Sequence, residues 1–362
     1  AAAPAESIAS VFRRAETLRP TVGLTEPEIA FRERIEESVA YHLVSDVSVG
    51  VLLSSGIDSS ALAAIGNRLS REPLRTFTVA FEEFLGRAED EAPLAERFAA
   101  DLGTIHTTRV VSRDEFRSDL PRFLERMDQP TIDGLNTWFA SKAVREGGVK
   151  VALSGIGGDE LFGGYPSFRM IPRILRVART PAAWALRALA RHPKKRLLHQ
   201  YGSTWEGAYL LQRGLFLPHE LRDLMGADAE EGLERLRLLD LFAASLDPDP
   251  GSDFARVATL ESSHYLRNQL LRDTDWASMS HSVEVRTPLV DVAFLRQVAP
   301  LVLDHRRHCK AVLGSMLPPW LAKRPKTGFL TPAAEWMRLP PDGTTTRMRS
   351  WARFVFDAVA GT

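Results

Sequence analysis

The chain has 362 residues, with 46 Lys and Arg balancing 46 Asp and Glu, so its formal net charge is zero. Hydrophobic residues make up 44% and charged residues 25%, which excludes global disorder, and the balanced charge provides no general field for nucleic acid. The single cysteine, Cys309, excludes an internal disulfide framework and a thiolate zinc site, and it fits a reducing, cytoplasmic setting.

Length allows one large or two smaller domains. No stretch reaches the ~18–20 continuous apolar residues of a membrane-spanning helix, and the small apolar start lacks the basic region of a secretory signal. Residues 1–27 read as a loose leader or interdomain linker, punctuated by Pro4, Pro20 and Pro27. Position 1 is Ala, so either an initiator was removed or the sequence is a piece of a longer chain.

From about residue 28 the pattern becomes regular. Ile29, Phe31, Ile35 and Val39 recur at helical spacing. Residues 48–53, SVGVLL, form a short apolar run closed by a Ser/Gly turn, as in a buried parallel strand. Helix (60–69), strand (75–81), helix (90–103) and strand (106–111) follow. Ser112 and Glu115 then have the spacing of a capping box. A helix near 136–146 and a strand at 149–155 complete the alternation, which predicts a parallel sheet with helices on both faces. Ligands of such sheets bind beyond the carboxyl ends of the strands. After about Arg169 strands are expected to stop and helices to dominate. The domain reading is therefore 28–170 for an α/β core and 171–362 for a mainly helical portion. Charge runs at 190–196 and 229–237 read as solvated faces.

Two strand-end segments carry chemistry. In VLLSSGIDSS (51–60) a strand ends in a tight turn and a helix begins. Consecutive N–H groups at a helix N-terminus form an anion site, and Ser54, Ser55 and Ser59 add hydroxyl donors. The segment is neither a GxxxxGK[ST] loop nor GxGxxG. Asp58 would repel bare phosphate but suits Mg²⁺ bridging to phosphate oxygens. The same residues would also serve as an ordinary N-cap turn with a favourable first-turn acid. In ALSGIGGDELFGGY (152–165), glycines surround Asp159 and Glu160 at another strand end. That placement suits a second metal ligand or a nucleotide contact, or a plain helix cap.

Together these segments resemble the synthetase half of the asparagine synthetase B family, a branch of the N-type ATP pyrophosphatases. The loop usually written SGGxDS reads here Ser54-Ser55-Gly56-Ile57-Asp58-Ser59. The resemblance extends to LRDTDWASMSHSVEVRTPLVD (271–291) and LPPWLAKRPKTGFLTP (317–332), four motifs in the expected order.

The resemblance implies an adenine-nucleotide hydrolase-like α/β fold and ATP-dependent amide-bond formation. A carboxylate would be adenylated with release of pyrophosphate and then captured by ammonia or an amine, most simply converting aspartate to asparagine. It implies ATP and Mg²⁺ as cofactors, with Asp58 and Asp159 as metal ligands. Lys326 falls where the family places its catalytic lysine. Leu53, Ser54, Ser55, Gly56, Ile57, Asp58, Ser59, Val79 and Gly155 would contact ATP or pyrophosphate. Asp128, Glu160, Arg286 and Asp291 could meet substrate, although Arg286 and Asp291 could equally form a buried ion pair that shapes the site. Asp275 and Glu284 carry the same ambiguity, and Gln129 could line the site.

Two departures qualify this picture. The family's glutaminase half, with its N-terminal cysteine nucleophile, is not in this sequence, so nitrogen is expected from ammonia, a separate glutaminase subunit or an amine substrate. Ile156 stands where asparagine synthetases carry a glutamate and β-lactam synthetases a tyrosine. A specialised-metabolite amide ligase of the β-lactam synthetase type is therefore the alternative enzyme, and an inactive partner subunit the alternative outside catalysis. Neither nucleic acid nor membrane is an expected partner. His264 and His281 read as structural histidines.

Overall fold

The computed structural model describes residues 6–18, 27–181, 193–226, 228–324, 330–340 and 347–360. These residues belong to two compact units. One comprises 1–23, 159–266 and 302–304, and the other 24–158, 267–301 and 305–362.

The first helix, α1 (Ile8–Leu18), lies in the stretch expected to be loose. Ala9, Val11, Phe12 and Ala15 recur at helical spacing and are buried, with the helix packed against the helix Asp253–Leu260.

The larger unit begins with α2 (Pro27–Leu43), whose Phe31, Ile35 and Val39 are buried. It then alternates through β1 (Val49–Leu52), α3 (Ile57–Leu69), β2 (Arg75–Phe81), α4 (Ala92–Leu102) and β3 (Ile105–Val111). Next come α5 (Arg113–Arg126), α6 (Gly134–Glu146) and β4 (Val151–Leu153). The Ser112 side chain accepts from the Glu115 N–H, as the capping spacing requires. The short helix α7 (Gly158–Phe162) follows β4.

All strands are parallel, in the order β3-β2-β1-β4-β5, where β5 is Glu284–Arg286. This is the expected α/β architecture, but β5 corrects the expectation that strands stop near 169. It is three residues long and reads Glu-Val-Arg, so it carries no apolar run to mark it; pairing with β4 defines it.

The chain moves outward from β1 to β3 and then crosses to β4 on β1's other side, which makes β1/β4 the switch point of the sheet. The register sets Val51 beside Leu153, so the loops leaving these strands are neighbours. An aromatic core containing Phe116, Phe123, Trp138, Phe139 and Trp336 packs with Val79 and Phe81 of β2 and Val111 of β3. Phe123 meets Trp138 edge-on at 5.7 Å, and Phe81 meets Trp336 at 5.9 Å.

The smaller unit is helical. Its core joins Ile171 and Leu175 of α8 (Ser167–Ala178) to Tyr209, Leu210, Phe242 and Leu260. After the helix Asp253–Leu260 the backbone runs on as a π-helix over Glu261–Leu271 and returns to α geometry at Arg272–Met279.

Candidate active site

The β1 loop is held by its own hydroxyls. The Ser54 N–H donates to Ser59 Oγ at 3.1 Å, the two serine hydroxyls meet at 2.8 Å, and the Gly56 N–H donates to Ser54 Oγ at 3.1 Å. The Ser60 hydroxyl donates to the Ser54 carbonyl at 3.2 Å. The strand end is fixed as well, because the Leu53 N–H donates to the Phe77 carbonyl and the Thr78 hydroxyl to the Leu53 carbonyl at 2.6 Å. The turn opens directly into α3, whose first-turn N–H groups have no intrahelical acceptor. Ser55 is 3% exposed and its Oγ is buried without a hydrogen-bond partner. An orphaned buried hydroxyl at a helix N-terminus is the donor that an anion would satisfy.

The β4 loop closes against this turn with no space for side chains. A Cβ at Gly155 would lie 2.8 Å from the Ser59 nitrogen, and one at Gly158 would lie 2.5 Å from the Asp58 carboxyl carbon. Glycine lets the two loops touch, and the contact fixes the direction of Asp58. That carboxylate receives Lys310 Nζ, from the helix Val292–Ser315. Both side chains keep some exposure, 19% for Asp58 and 29% for Lys310, so the pair is reachable from solvent. Sequence reasoning missed Lys310, which lies in CKAV with no local signature and meets Asp58 across 252 positions. A second such pair joins Arg324 to Glu91 at 3.2 Å.

The other residues singled out are distributed as follows. Leu53, just past β1, and Val79, within β2, are buried. Asp128 is half exposed and pairs with Arg272 at 2.7 Å. The Gln129 amide donates to the Asn268 carbonyl at 2.7 Å. Arg286 and Asp291 do not pair with each other. Arg286 donates to the His42 and Val44 carbonyls at 2.8 and 2.7 Å and to Glu284 at 2.7 Å, which ties the end of α2 to β5. Asp291 accepts from the Phe294 N–H at 2.7 Å and caps the helical stretch that begins at Val292, whereas Lys310 lies beyond the break at His305. Asp275 is exposed, whereas the neighbouring Asp273 is 2% exposed and accepts from Thr131 at 2.5 Å and Trp276 at 3.1 Å. Burial pushes the Asp273 carboxyl up to about 7, against the lowering effect of these two donors. Lys326 and Gly328 lie outside the described residues.

In the smaller unit, Asp159 and Glu160 occupy the first turn of α7. Glu160 is 2% exposed and accepts from the Tyr165 hydroxyl at 2.9 Å, while its Oε2 has no partner. Burial raises its carboxyl to about 7, with the Tyr165 hydrogen bond opposing. A short distance away within this unit, Arg213 is paired with the fully buried Glu261 at 2.8 Å and lies over the rings of Tyr165 and Tyr265, at 4.3 and 3.9 Å. Pairs separated by 48 positions leave no pattern in a sequence. His264 is a satisfied structural histidine, Nε2 to Ser245 Oγ at 3.0 Å. His281 lies edge-on to Trp138 at 4.5 Å, but its Nε2 is buried with no partner.

Among the described residues no group of three or more His, Cys, Asp or Glu converges as a metal cage, and no helix is long and apolar enough to cross a membrane. A hydroxyl-lined turn at a helix N-terminus, placed at the sheet's switch point beside one carboxylate and one lysine, is chemically suited to an anionic ligand.

The chain belongs to the asparagine synthase family, whose profile matches residues 30–350. It is 31% identical to a Mycobacterium tuberculosis protein given a provisional name as a glutamine-hydrolyzing asparagine synthetase, over 84% of this chain and 48% of that protein. It is 28% identical to the Bacillus subtilis glutamine-hydrolyzing asparagine synthetase 1, over 89% of this chain and 51% of that one. A shorter stretch, 43% of this chain, is 35% identical to the amidase chry2 of Gibberella zeae and covers 25% of it. The chain thus spans about half the length of the first two relatives.

Proposed function

We propose that this chain forms amide bonds at the expense of ATP, adenylating a carboxylate and passing the acyl group to ammonia or an amine. The observation that carries the reading is the buried, unpartnered Ser55 hydroxyl in the turn that opens α3, beside a carboxylate held in direction by Gly158. Family membership supports ATP as the nucleotide.

The residues fit such a ligand. The serine hydroxyls and first-turn N–H groups would cradle the pyrophosphate as it leaves, offsetting charge that develops on the α,β-bridging oxygen. Lys310 would exchange Asp58 for a phosphate oxygen, which frees the carboxylate. Asp58 would hold Mg²⁺, which when bound supplies positive charge to the phosphates; carboxylate plus phosphate oxygens are its usual company. Lys326 would stabilise charge at the α-phosphorus and at the later tetrahedral carbon. The substrate carboxylate would attack the α-phosphorus, pyrophosphate would leave, and nitrogen would displace AMP.

Aspartate is the simplest acceptor, and the names of the B. subtilis and M. tuberculosis relatives favour it. Ile156, apolar and half-buried in the β4 loop, favours a second reading, a specialised-metabolite amide ligase of the β-lactam synthetase type that acts on a different carboxylate. Measuring pyrophosphate release from Mg-ATP with ammonia, with and without aspartate, tests both. Aspartate-dependent release together with asparagine supports the first. ATP binding without release points to another acid, and absence of ATP binding refutes the proposal.

A further inference from the structure

From Leu161 to Trp205 the sequence contains nine Lys and Arg and no Asp or Glu, in a chain whose net charge is zero. Within the smaller unit this asymmetry has a geometric form. Arg169, Arg173 and Arg176 stand at i, i+4 and i+7 on α8, opposite the face that buries Ile171 and Leu175. All three are exposed, as is Arg179 at the helix end. The helix Leu198–Tyr201 packs on α8, and the exposed Lys195 and Arg196 lie just ahead of it. Among the described residues no carboxylate pairs with Arg169, Arg173, Arg176, Arg179, Lys195 or Arg196. Elsewhere in the same unit Arg213, Arg222, Arg235, Arg237 and Arg256 all have acidic partners. Like charges at i, i+3 and i, i+4 oppose the helix that carries them, so nothing internal to the fold accounts for this stripe.

The stripe ends at a cleft. Arg179 lines a cavity of about 530 Å³ with Trp205, Leu246, Glu206, Asp249 and Asp253. The Trp205 ring is backed by Arg256, 5.3 Å away, and Arg256 is itself held by Asp249 at 2.7 Å. The cleft thus offers a half-buried aromatic wall with acidic rims.

We propose that this face is a docking surface for an acidic polypeptide segment of a partner protein, with carboxylates against the arginine stripe and one apolar side chain beside Trp205. The three arginines of α8 span roughly 10 Å, which matches acids one and two turns apart on a helix or a few residues apart on an extended chain. The cleft decides between partner classes. RNA or an anionic bilayer presents unbroken negative charge and would meet Glu206, Asp249 and Asp253 at the end of the stripe. A polypeptide changes character residue by residue and avoids that repulsion. The apolar face of α8 is spent on the unit's own core, so the helix has none to insert into lipid.

The test is fluorescence anisotropy at about 50 mM salt, where exposed charges are weakly screened. The probe is a short labelled Glu-rich peptide with one central Phe. A matched peptide with Ala in place of Phe, a single-stranded RNA oligomer and phosphatidylglycerol vesicles serve as competitors. Replacing Arg169, Arg173 and Arg176 together by Glu is expected to weaken the peptide about tenfold or more. Trp205→Leu is expected to weaken the Phe peptide to the level of its Ala counterpart. Wild-type binding by the triple variant, or tighter binding of RNA or vesicles than of the peptide, overturns the proposal. If the triple variant fails to fold, Arg173→Gln replaces it, with a reduced salt dependence expected; an unchanged salt dependence overturns the proposal equally.

Discussion

Gly155→Ala probes the contact between the two loops most directly. The new methyl would lie 2.8 Å from the Ser59 nitrogen and 3.2 Å from the Asp58 carbonyl carbon and the Ser59 Cα. Ordinary contact begins at 3.4 Å, so backbone on one side or the other must retreat by about 0.6 Å. These neighbours are backbone atoms of the first turn of α3 and have no rotamer through which to yield. Overpacking of this kind costs about 1–3 kcal/mol, offset by about 0.4–1 kcal/mol from the stiffer unfolded chain. The midpoint of thermal unfolding should therefore fall by only a few degrees. Displacing the proposed pyrophosphate cradle should cost far more, about a hundredfold in kcat/KM for Mg-ATP. The assay is coupled pyrophosphate release beside a thermal melt. Gly232→Ala is the control, because a Cβ there meets nothing within 4 Å and the position is helical, so it should stabilise by about 0.5–1 kcal/mol. Wild-type kcat/KM in Gly155→Ala, whatever its melting point, would show that the loop contact does not set the geometry of the reaction.

Three other perturbations separate site from scaffold. Lys310→Ala should leave folding intact, since the side chain is partly exposed, while lowering kcat/KM for Mg-ATP about tenfold to a hundredfold; unchanged kinetics would remove Lys310 from the phosphate site. Arg213→Met leaves the fully buried Glu261 without its partner and should cost about 3 kcal/mol or more in urea unfolding, with Arg213→Met/Glu261→Gln recovering part of the loss. A single-variant cost under about 1 kcal/mol would contradict the pairing argument. For Asp273, burial holds the folded carboxyl at about 7 against an ordinary 3.8, so the folded state binds the extra proton and stability declines as pH rises through that window. His281 acts in the opposite sense, because burial holds its folded value down to about 4 and stability increases from there towards 6.5. Asp273→Asn should therefore steepen the gain in urea midpoint between pH 4 and 6.5 and raise stability at pH 8; an unaltered profile would mean that Asp273 is ionised in the fold.

The sheet was legible because β1, β2 and β4 carry apolar runs and β3 is rich in β-branched residues between two helical patterns, and the Ser112 cap because its signal spans four residues. The β1 loop was legible for the same local reason. Elements fixed by distant partners were not. Residues Glu284 to Arg286 become a strand only beside β4, and α1 is held by a helix more than two hundred positions later. Lys310, Asp273 and the Arg213–Glu261 pair owe their roles to side chains that meet across the fold, where no spacing rule applies. Arg286 and Asp291 illustrate the converse. Their motif drew attention to them, and backbone carbonyls, the neighbouring Glu284 and a helix cap account for the polar contacts they make.

The π-helix over Glu261–Leu271 has a consequence for how this sequence can vary. Its hydrogen bonds reach one residue further than those of the α-helix on either side, so the stretch holds more chain per turn than α geometry would. Removing one residue there would take up that extra chain and let ordinary bonding resume with little change in the direction of the side chains that follow. Asp273 and Trp276 would keep Thr131 and the aromatic core as neighbours. Single-residue deletions between 267 and 271 should thus be tolerated better than in an ordinary α-helix, where each one turns the residues that follow by about 100°.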